Sequence, residues 1–258
     1  EHGVPGFSME NLSFGSDYSQ GRPVGVELQQ DTYTVLANVR EPLPLLDSAE
    51  VNLSKLSSTA GEYLGASKAN QYAFQTYQGE LLLNHRRVGA LTGLLGISQQ
   101  SRSITGSGPQ RYLPDVDTQA RALFVKETLT LPWATFDAGY RREKIDHEIQ
   151  ASRFQSGRNS PNGSLKDREF NLESYSAGGY FKLGKWFAAT LRYADSQRAP
   201  DVNELYASNA HYSTMTQEEG NQALKPERAK TQEFTLAFSN AGFDATATAY
   251  GMKYGDYL

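Results

Sequence analysis

The chain has 258 residues and contains no cysteine, four histidines, three methionines and two tryptophans. The absence of cysteine excludes a disulfide framework and cysteine-ligated zinc or iron–sulfur sites. No stretch approaches the roughly 18 uncharged apolar residues of a membrane helix, so a helical membrane protein is excluded. The net charge of -4 argues against nucleic acid as a partner. The 15 tyrosines and 12 phenylalanines are too many for a disordered chain.

Apolar and polar residues alternate with a period of two. In one segment Phe234, Leu236 and Phe238 fall on one face, and Thr235 falls on the other. Because successive strand side chains point to opposite sides, this pattern predicts strands with one apolar and one polar surface. Most are longer than the five or six residues usual in soluble sheets, and a tilted strand needs about 9–11 residues to cross a bilayer. The ten predicted strands are 31–41, 47–57, 71–86, 88–100, 117–131, 133–147, 172–183, 186–198, 229–239 and 243–254.

Short and long connections alternate along the chain. Short turns are predicted at 42–46, 86–88, 131–133, 184–185 and 240–242. Long polar loops are predicted at 1–30, 58–70, 101–116, 148–171 and 199–228. This alternation puts all short turns at one end of a sheet, as in outer-membrane barrels. The fold class is therefore predicted to be all-β: an antiparallel up-and-down transmembrane β-barrel. The alternative is a soluble β-sandwich or propeller, which would need both sheet faces covered by protein.

A transmembrane barrel makes the two faces of each strand different. The apolar face meets lipid and the polar face looks into the lumen. Four aromatic residues lie at or beside short turns, where an aromatic belt at the periplasmic interface is expected: Trp133, Trp186, Phe187 and Phe243. Five charged residues are expected to face the lumen: Glu127, Asp137, Arg141, Glu143 and Arg192.

Two spaced segments carry a specific motif. Residues 197–206 read QRAPDVNELY, and residues 220–233 read GNQALKPERAKTQE. The pair resembles a motif of TonB-dependent outer-membrane receptors, RAP-x-x-x-E-L-Y followed by GN-x-x-L-K-P-E and a strand. The matching residues are Arg198, Ala199, Pro200, Glu204, Leu205, Tyr206, Gly220, Asn221, Leu224, Pro226 and Glu227.

The motif also has a structural interpretation. Proline lacks an N–H, so Pro200 and Pro226 should lie where ladder pairing stops and resumes. Glu204 and Glu227 are expected to pair with Arg198 or Arg228 and to fix the base of the loop between the two halves.

The resemblance implies the rest of the architecture. Residues 1–258 would form part of one barrel domain, about ten strands of a probable 22, with the plug domain outside this sequence. Such receptors take up a scarce ligand across the bacterial outer membrane and are not enzymes. The implied partners are the TonB–ExbB–ExbD energy complex, reached through an N-terminal segment that this sequence does not include, and the outer-membrane lipid and lipopolysaccharide around a monomer.

Within the family the sequence is most similar to zinc receptors of the ZnuD type, with haem receptors next. No resident cofactor is required, and zinc or haem would be bound as cargo. His211 lies between the motif halves, where a neutral imidazole could ligate Zn²⁺ or haem iron. Glu218, Glu219 or His2 could complete a site. The zinc type has a second histidine where this chain has Ser208, and a carboxylate that has no clear counterpart near Asn70. His211 as an ordinary loop residue remains the alternative.

Other functions find less support in the sequence. There is no HExxH motif, phosphate-binding glycine loop or nucleophile elbow. Asp146, His147 and Glu148 are adjacent, so the carboxylates of a strand would point away from the imidazole. A ferric-siderophore receptor is a further alternative within the family, and a passive porin or surface adhesin is the alternative of another class.

Overall fold

The structure is a computed structural model that describes residues 2–3, 23–150, 165–214 and 216–256. Most of the predicted loop 1–30 and the centre of loop 148–171 lie outside these ranges. The side chains of residues 2, 3, 209, 210 and 217 are likewise not described.

One antiparallel sheet contains almost all of the described chain. Its eleven strands neighbour one another in chain order, and ten of them are long. They are β1 (His2–Gly3), β2 (Val24–Arg40), β3 (Leu46–Leu64), β4 (Ser67–Val88), β5 (Leu91–Ser107), β6 (Val116–Thr130), β7 (Ala134–Ile149), β8 (Arg168–Leu183), β9 (Phe187–Arg198), β12 (Glu227–Asn240) and β13 (Phe243–Gly255). Between β9 and β12 lie helix α1 (Val202–Tyr206) and a separate hairpin of β10 (Ser208–His211) and β11 (Thr216–Glu219). The prediction of ten long strands in up-and-down order is confirmed.

The strands extend further than the sequence pattern indicated. The predicted long loop 58–70 is wrong in its extent, because β3 and β4 run through it and leave only Gly65 and Ala66 at the turn. Gly65 has a φ of 61°, a conformation that glycine adopts without strain. Loop 101–116 is likewise shortened to 108–115. Outside the bilayer a strand has no lipid-facing side to keep apolar, so the alternation that predicts strands fades there.

No described helix is long and apolar enough to cross a membrane.

Cross-strand register separates an apolar face from a polar one. Phe234 lies opposite Leu191, and the same face includes Leu123 and Leu53 on distant strands. These side chains are 44–52% exposed, so a broad apolar surface faces away from the protein. A surface of this kind is typical of the lipid-facing side of a barrel. We call this face the outer wall and the opposite face the inner face.

The charged residues predicted to face the lumen lie on the inner face with one exception. Asp137, Arg141, Glu143 and Arg192 share the inner face. Glu127 is opposite Ala138 and therefore lies on the outer wall, where its carboxylate is 3.1 Å from His85 Nε2. It lies close to the short-turn end, where the headgroup region replaces hydrocarbon as its surroundings.

The buried core lies at the long-connection end, on the inner face. We call this end the mouth, and residues 199–226, which connect β9 to β12, the mouth loop. Side chains from the mouth loop pack against strands β4, β5, β6 and β8. The fully enclosed members are Tyr72, Leu113, Val116, Leu172, Val202, Leu205 and Tyr206. The mouth loop therefore folds inward across the mouth instead of extending into solvent.

Candidate functional site

The base of the mouth loop is fixed by one guanidinium. Arg198 ends β9 and donates to both carboxylate oxygens of Glu204 at 3.0 Å, and to Glu227 Oε2 at 2.9 Å. The ion pairs that the sequence predicted for Arg198 are thus present. Arg228 instead pairs with Asp195 on the outer wall. The motif's arginine and two glutamates therefore tie together the last residue of β9, helix α1 and the first residue of β12.

Helix α1 begins with a capping box. The Asp201 carboxylate accepts from the Val202 N–H at 2.8 Å, and Glu204 Oε2 accepts from the Asp201 N–H at 2.7 Å. Side chains that satisfy the first N–H groups favour a helix even as short as this one. Arg102 of β5 pairs with the Asp201 carboxylate. The helix is thereby held against β5 with Val202, Leu205 and Tyr206 directed into the core.

The second half of the motif closes the loop over the end of α1. A Cβ at Gly220 would lie 2.4 Å from the Tyr206 nitrogen and 2.5 Å from the Leu205 carbonyl carbon, so only glycine fits there. The Gly220 N–H donates to the Ala207 carbonyl at 2.6 Å, and the Asn221 N–H to the Glu204 carbonyl at 2.8 Å. Leu224 then packs on the core. The Asn221 Oδ1 accepts from the Ala223 N–H at 2.9 Å, so the glycine, asparagine and leucine of the motif each have a part in one loop closure.

His211 lies across the mouth from this base, against the mouth end of β3. Its Nδ1 is 2.5 Å from Glu218 Oε1, and its Nε2 is 3.2 Å from Glu62 Oε1 and 2.9 Å from Ser213 Oγ. Its ring stacks on Tyr112 at 4.4 Å between centroids. We call His211, Glu62, Glu218, Ser213 and Tyr112 the His211 cluster. It ties the β10–β11 hairpin to strand β3 and to the loop before β6.

Glu62 is the buried anchor of the His211 cluster. Its Oε1 accepts from the Ser213 N–H at 2.9 Å and its Oε2 accepts from Asn70 Nδ2 at 2.7 Å. Glu62 lies 16 residues beyond the start of β3 at the short-turn end, past the 9–11 residues that span a bilayer. Burial alone would raise its pKa, but the hydrogen bonds from His211, Ser213 and Asn70 outweigh burial and lower the pKa from 4.5 to about 2. Glu62 is therefore an anion at neutral pH.

His211 responds in the opposite direction. Burial lowers the pKa of an imidazole. For His211, the hydrogen bonds to Glu62 and Glu218 together outweigh burial, so its pKa is raised above 6.5. A doubly protonated ring can donate from both nitrogens, one to each carboxylate. When the ring is protonated, it is a cation between two carboxylates, and Tyr112 covers its face.

The predicted cargo ligands are brought together only in part. Glu218 contacts His211, whereas Glu219 follows it on the strand and is exposed. The His2 side chain lies outside the described residues. Among the residues that the structure describes, no group of three His, Asp or Glu side chains is arranged to hold a metal ion. Glu62 and Glu218 contact opposite nitrogens of the ring, so their oxygens do not converge on one point. A ligand role for these residues stays a prediction.

Sequence reasoning missed Glu62, Tyr112 and Ser213. Glu62 lies directly opposite Asn70 in the β3–β4 ladder, and it was assigned to a loop. It is 151 residues from Ser213, and no local pattern signals a contact over that distance. A parity argument would have placed Glu62 on the inner face, but only if β3 had been continued to Leu64.

The adjacent acidic residues and histidine of β7 are separated as predicted. His147 is buried on the inner face, with its Nδ1 2.9 Å from Thr118 Oγ1. Asp146 lies on the outer wall, 3.3 Å from Lys144. The three side chains therefore do not form one catalytic group.

With this geometry described, the chain can be compared with known proteins. It matches the family described as "TonB dependent receptor-like, beta-barrel" over residues 4–258. It is 29% identical over 91 residues to "Hemoglobin and hemoglobin-haptoglobin-binding protein A" of Haemophilus influenzae, a match covering 35% of this chain and 8% of that protein.

Solved structures share the fold at low sequence identity. The copper transporter OprC gives a TM-score of 0.72 at 14% identity, covering 88% of this chain and 39% of that one. The Serratia marcescens hemophore receptor HasR, in complex with its hemophore HasA and heme, gives 0.71 at 16% identity, covering 91% and 40%. The FrpB iron transporter of Neisseria meningitidis gives 0.68 at 12% identity, covering 93% and 38%.

These matches define the family and the extent of the chain within it. This chain spans about 40% of the length of the similar solved structures. TonB-dependent receptors are outer-membrane transport proteins of bacteria and are not enzymes. The match over nearly the whole chain, the up-and-down sheet with its apolar outer wall and the two-part motif at the mouth agree with one another. The chain belongs to the TonB-dependent receptor family, as part of its β-barrel in the bacterial outer membrane.

Proposed function

We propose that the protein containing this chain imports a scarce ligand across the outer membrane, using energy delivered by TonB. The main support is the inward-folded mouth loop. The helix and the hairpin of the mouth loop, together with the residues before β6, form a packed layer over the inner face. Among the described residues, this layer covers the inner face at the end where a ligand from outside would enter. Opening a passage beneath it requires a conformational change. In an energy-coupled transporter, the energy delivered by TonB would drive that change.

A passive porin is the alternative of another class. Porins keep a water-filled channel with a polar interior. Here Val202, Leu205 and Tyr206 are fully buried against the strands. That packing favours an occluded receptor over an open pore.

The partners proposed for the whole protein follow from the family. The TonB–ExbB–ExbD complex would act through a segment preceding the barrel, with a plug filling the lumen. The inner face carries the charges Asp137, Arg141, Glu143 and Arg192, which suit contact with a polar plug surface. We propose that the receptor is a monomer surrounded by outer-membrane lipid and lipopolysaccharide.

Zinc is the first cargo that we propose. His211 and Glu218 supply one imidazole and one carboxylate, which are ligand types that Zn²⁺ accepts. The proton on His211 Nδ1 would have to leave before that nitrogen could bind the ion, because a metal ligand must be deprotonated. Glu218 is already 2.5 Å from this nitrogen, so the pair could share an ion in place of the proton. The cargo is the transported substrate, and no resident metal is needed for the fold.

Haem is the second candidate, favoured by a separate observation. The 91-residue similarity is to a protein named for binding hemoglobin. His211 could act as an axial ligand if the ring turned away from Tyr112 and Glu62. A ferric siderophore is a third possibility that the His211 cluster does not particularly favour.

Binding to the intact receptor separates these cargoes. Zn²⁺ and haem would each be titrated calorimetrically into wild type, His211→Ala and the control His85→Ala, whose side chain lies at the short-turn end. We expect His211→Ala to weaken one of the two ligands at least tenfold and His85→Ala to change neither. Equal affinities in all three proteins would remove His211 from the cargo site.

Transport itself needs a separate measurement. Uptake of the bound ligand would be followed in cells with and without TonB. We expect uptake to stop without TonB. Uptake that continues at the same rate would favour the passive porin, whatever the role of His211.

A further inference from the structure

A buried histidine lies under the start of the mouth loop. His147 of β7 is 3% exposed, and its Nδ1 is 2.9 Å from Thr118 Oγ1. Its Nε2 is enclosed and makes no hydrogen bond within the part of the chain that the structure describes. His147 lies 13 residues beyond the start of β7 at the short-turn end, past the roughly 9–11 residues that span a bilayer. The ring is therefore outside the membrane and is still shielded from water.

Two guanidinium groups share a row of the inner face with this ring. The row crosses strands β5 to β8, and each residue lies directly opposite the next: Arg102, Thr118, His147 and Arg168. Arg168 is held in place because it donates to the Leu224 carbonyl at 2.9 Å. Like charges directly opposite one another on neighbouring strands destabilise a sheet. A protonated His147 would therefore be a third cation in a row that already holds two.

The carboxylates around this row are either engaged or directed elsewhere. Asp201 pairs with Arg102 and caps α1 through the Val202 N–H, and Glu204 is held by Arg198. The nearest carboxylates of β6, β7 and β8 point to the outer wall: Asp117, Asp146, Glu148 and Glu169. Two more, close to the mouth ends of β6 and β7, have partners of their own: Asp115 pairs with Arg111, and Asp167 accepts from the Ile149 N–H. Only Asp201 thus faces the ring on the inner side, among the described carboxylates of these strands and of α1, and it already has a cation.

This environment favours the neutral ring. Burial and the charge on Arg102 lower the pKa of His147 below 6.5, and they outweigh Asp201 and the Pro200 carbonyl, which favour the charged form. A base whose pKa is lowered by burial stabilises the packed state only while it is neutral. Its contribution is complete above 6.5 and is lost as the pH falls below that value. Most carboxyl groups stay ionised through the upper part of this range, since their ordinary pKa is about 4.

The mouth loop is the part of the surroundings that can move. Phe170 packs edge-on against the His147 ring and belongs to the paired strand β8. Pro200 and Asp201 belong to the mouth loop, which is held by side-chain contacts instead of a long ladder. A charged ring can regain water only if its cover is displaced, and displacing the start of the loop breaks the fewest backbone hydrogen bonds.

We infer that His147 is an acid-sensitive anchor of helix α1: the neutral ring lets α1 pack against the strands, and the protonated ring releases it. The hairpin is anchored separately, because Glu62 keeps its charge in mild acid and still accepts from the Ser213 N–H. Mild acid would therefore open one half of the layer over the inner face and leave the other half docked. The inference concerns the mouth loop itself and depends neither on the cargo nor on TonB.

Hydrogen exchange of the intact receptor in detergent tests this anchor. Exchange would be measured at about pH 7.5 and about pH 5, on either side of the ordinary imidazole pKa, and corrected for the intrinsic effect of pH on amide exchange. The amides of Leu205 and Ala207 are the reporters, because they donate to the Asp201 and Asn203 carbonyls only while α1 is formed. Wild type would be compared with His147→Gln, whose amide stays neutral and can still bond to Thr118. His85→Gln, at the short-turn end, is the control.

We expect the α1 amides of wild type to lose protection about fivefold between the higher and the lower pH. His147→Gln should show the same protection at both values, and His85→Gln should behave like wild type. The Ser213 amide should stay protected in all three proteins, because its acceptor is Glu62.

A second variant tests the charge row without changing the histidine. Arg168→Gln removes the cation directly opposite His147 and keeps an amide that can donate to the Leu224 carbonyl. We expect the acid loss of α1 protection to be smaller in this variant than in wild type. This comparison remains decisive if His147→Gln does not fold, which heat-modifiable migration on gels would reveal.

Four results would overturn the inference. Equal α1 protection of wild type at both pH values would show that the ring does not control the helix. A loss in His147→Gln as large as in wild type would assign the effect to another group. A loss in Arg168→Gln as large as in wild type would remove the charge row as its cause. Stronger α1 protection of wild type in acid would mean that Asp201 and the Pro200 carbonyl bind the protonated ring and tighten the loop.

Discussion

The half of the sheet nearest the short turns, which we call the lower sheet, contains the same strands as the mouth. The two regions depend on different interactions. Towards the short turns, neighbouring strands are joined by long ladders, and side chains alternate between the lipid side and the lumen side. At the mouth, a five-residue helix and a hairpin of four-residue strands have little ladder of their own. They are held by a small number of specific side-chain contacts. We therefore expect single substitutions in the lower sheet to be tolerated, whereas single substitutions among the mouth contacts should detach the mouth loop.

The largest effect is expected from Gly220→Val. Its side chain would collide with the backbone at Leu205 and Tyr206, so the loop closure over α1 should be lost at a local cost of about 3 kcal/mol or more. Hydrogen exchange should become fast across the mouth loop, while strands β2–β8 stay protected. Gly251→Ala is the matched control, because nothing lies within 4 Å of a Cβ there. Unchanged protection at Ala207 in the Gly220 variant would show that the closure is not tight.

Glu62→Ala should have the next largest effect. The change removes the acceptor of the Ser213 N–H and a partner of His211 and Asn70, at a cost of about 2–3 kcal/mol to hairpin docking. Hydrogen exchange at Ser213 would measure it. Glu27→Ala, which removes an exposed carboxylate that accepts from Tyr63 on the outer wall, is the control. Similar exchange in both variants would mean that Glu62 is not the anchor.

The same contacts make docking of the hairpin dependent on pH. The pKa of Glu62 is lowered on folding, so its contribution is complete above about 4.5 and is lost as the pH falls towards about 2. The pKa of His211 is raised, so its contribution is complete below 6.5 and is lost as the pH rises through the raised value. Protection of the hairpin, measured with a chelator present, should be greatest between these limits. His211→Gln should remove the loss at high pH and keep the loss at low pH; a profile with no change on either side would contradict the charge assignment.

Arg198→Lys should have the smallest effect. A lysine keeps the charge but cannot bridge Glu204 and Glu227 with a planar fork. Arg198 is half exposed, so solvent screening limits the loss to about 1 kcal/mol. Exchange of the α1 amides would report it, with Arg40→Lys on β2 as the control. A loss as large as that of Glu62→Ala would show that the base of the loop, and not the His211 cluster, dominates docking.

The sequence predicted the lower sheet better than the mouth, and the reason is physical. Lipid on one side and water on the other impose an alternation of apolar and polar residues on every spanning strand. A segment such as 229–239 can therefore be predicted as a strand from its own residues. The contacts of the motif residues around Arg198 could also be predicted, because they are local and the prolines mark the ends of ladders. Glu62 could not be assigned to the His211 cluster in this way, since its partners come from distant parts of the chain. Helix α1 was missed because five residues are too few to show a helical period.

The contact between Glu62 and the hairpin has a consequence for assembly. It joins residues 151 positions apart, and pairing of the six strands between them lowers the entropy cost of bringing these residues together. A slip of one residue in the register of β3 would turn Glu62 to the outer wall, away from the hairpin, and leave the Ser213 N–H without this acceptor. We therefore expect the hairpin to dock fully only on a barrel whose strands have aligned in the correct register.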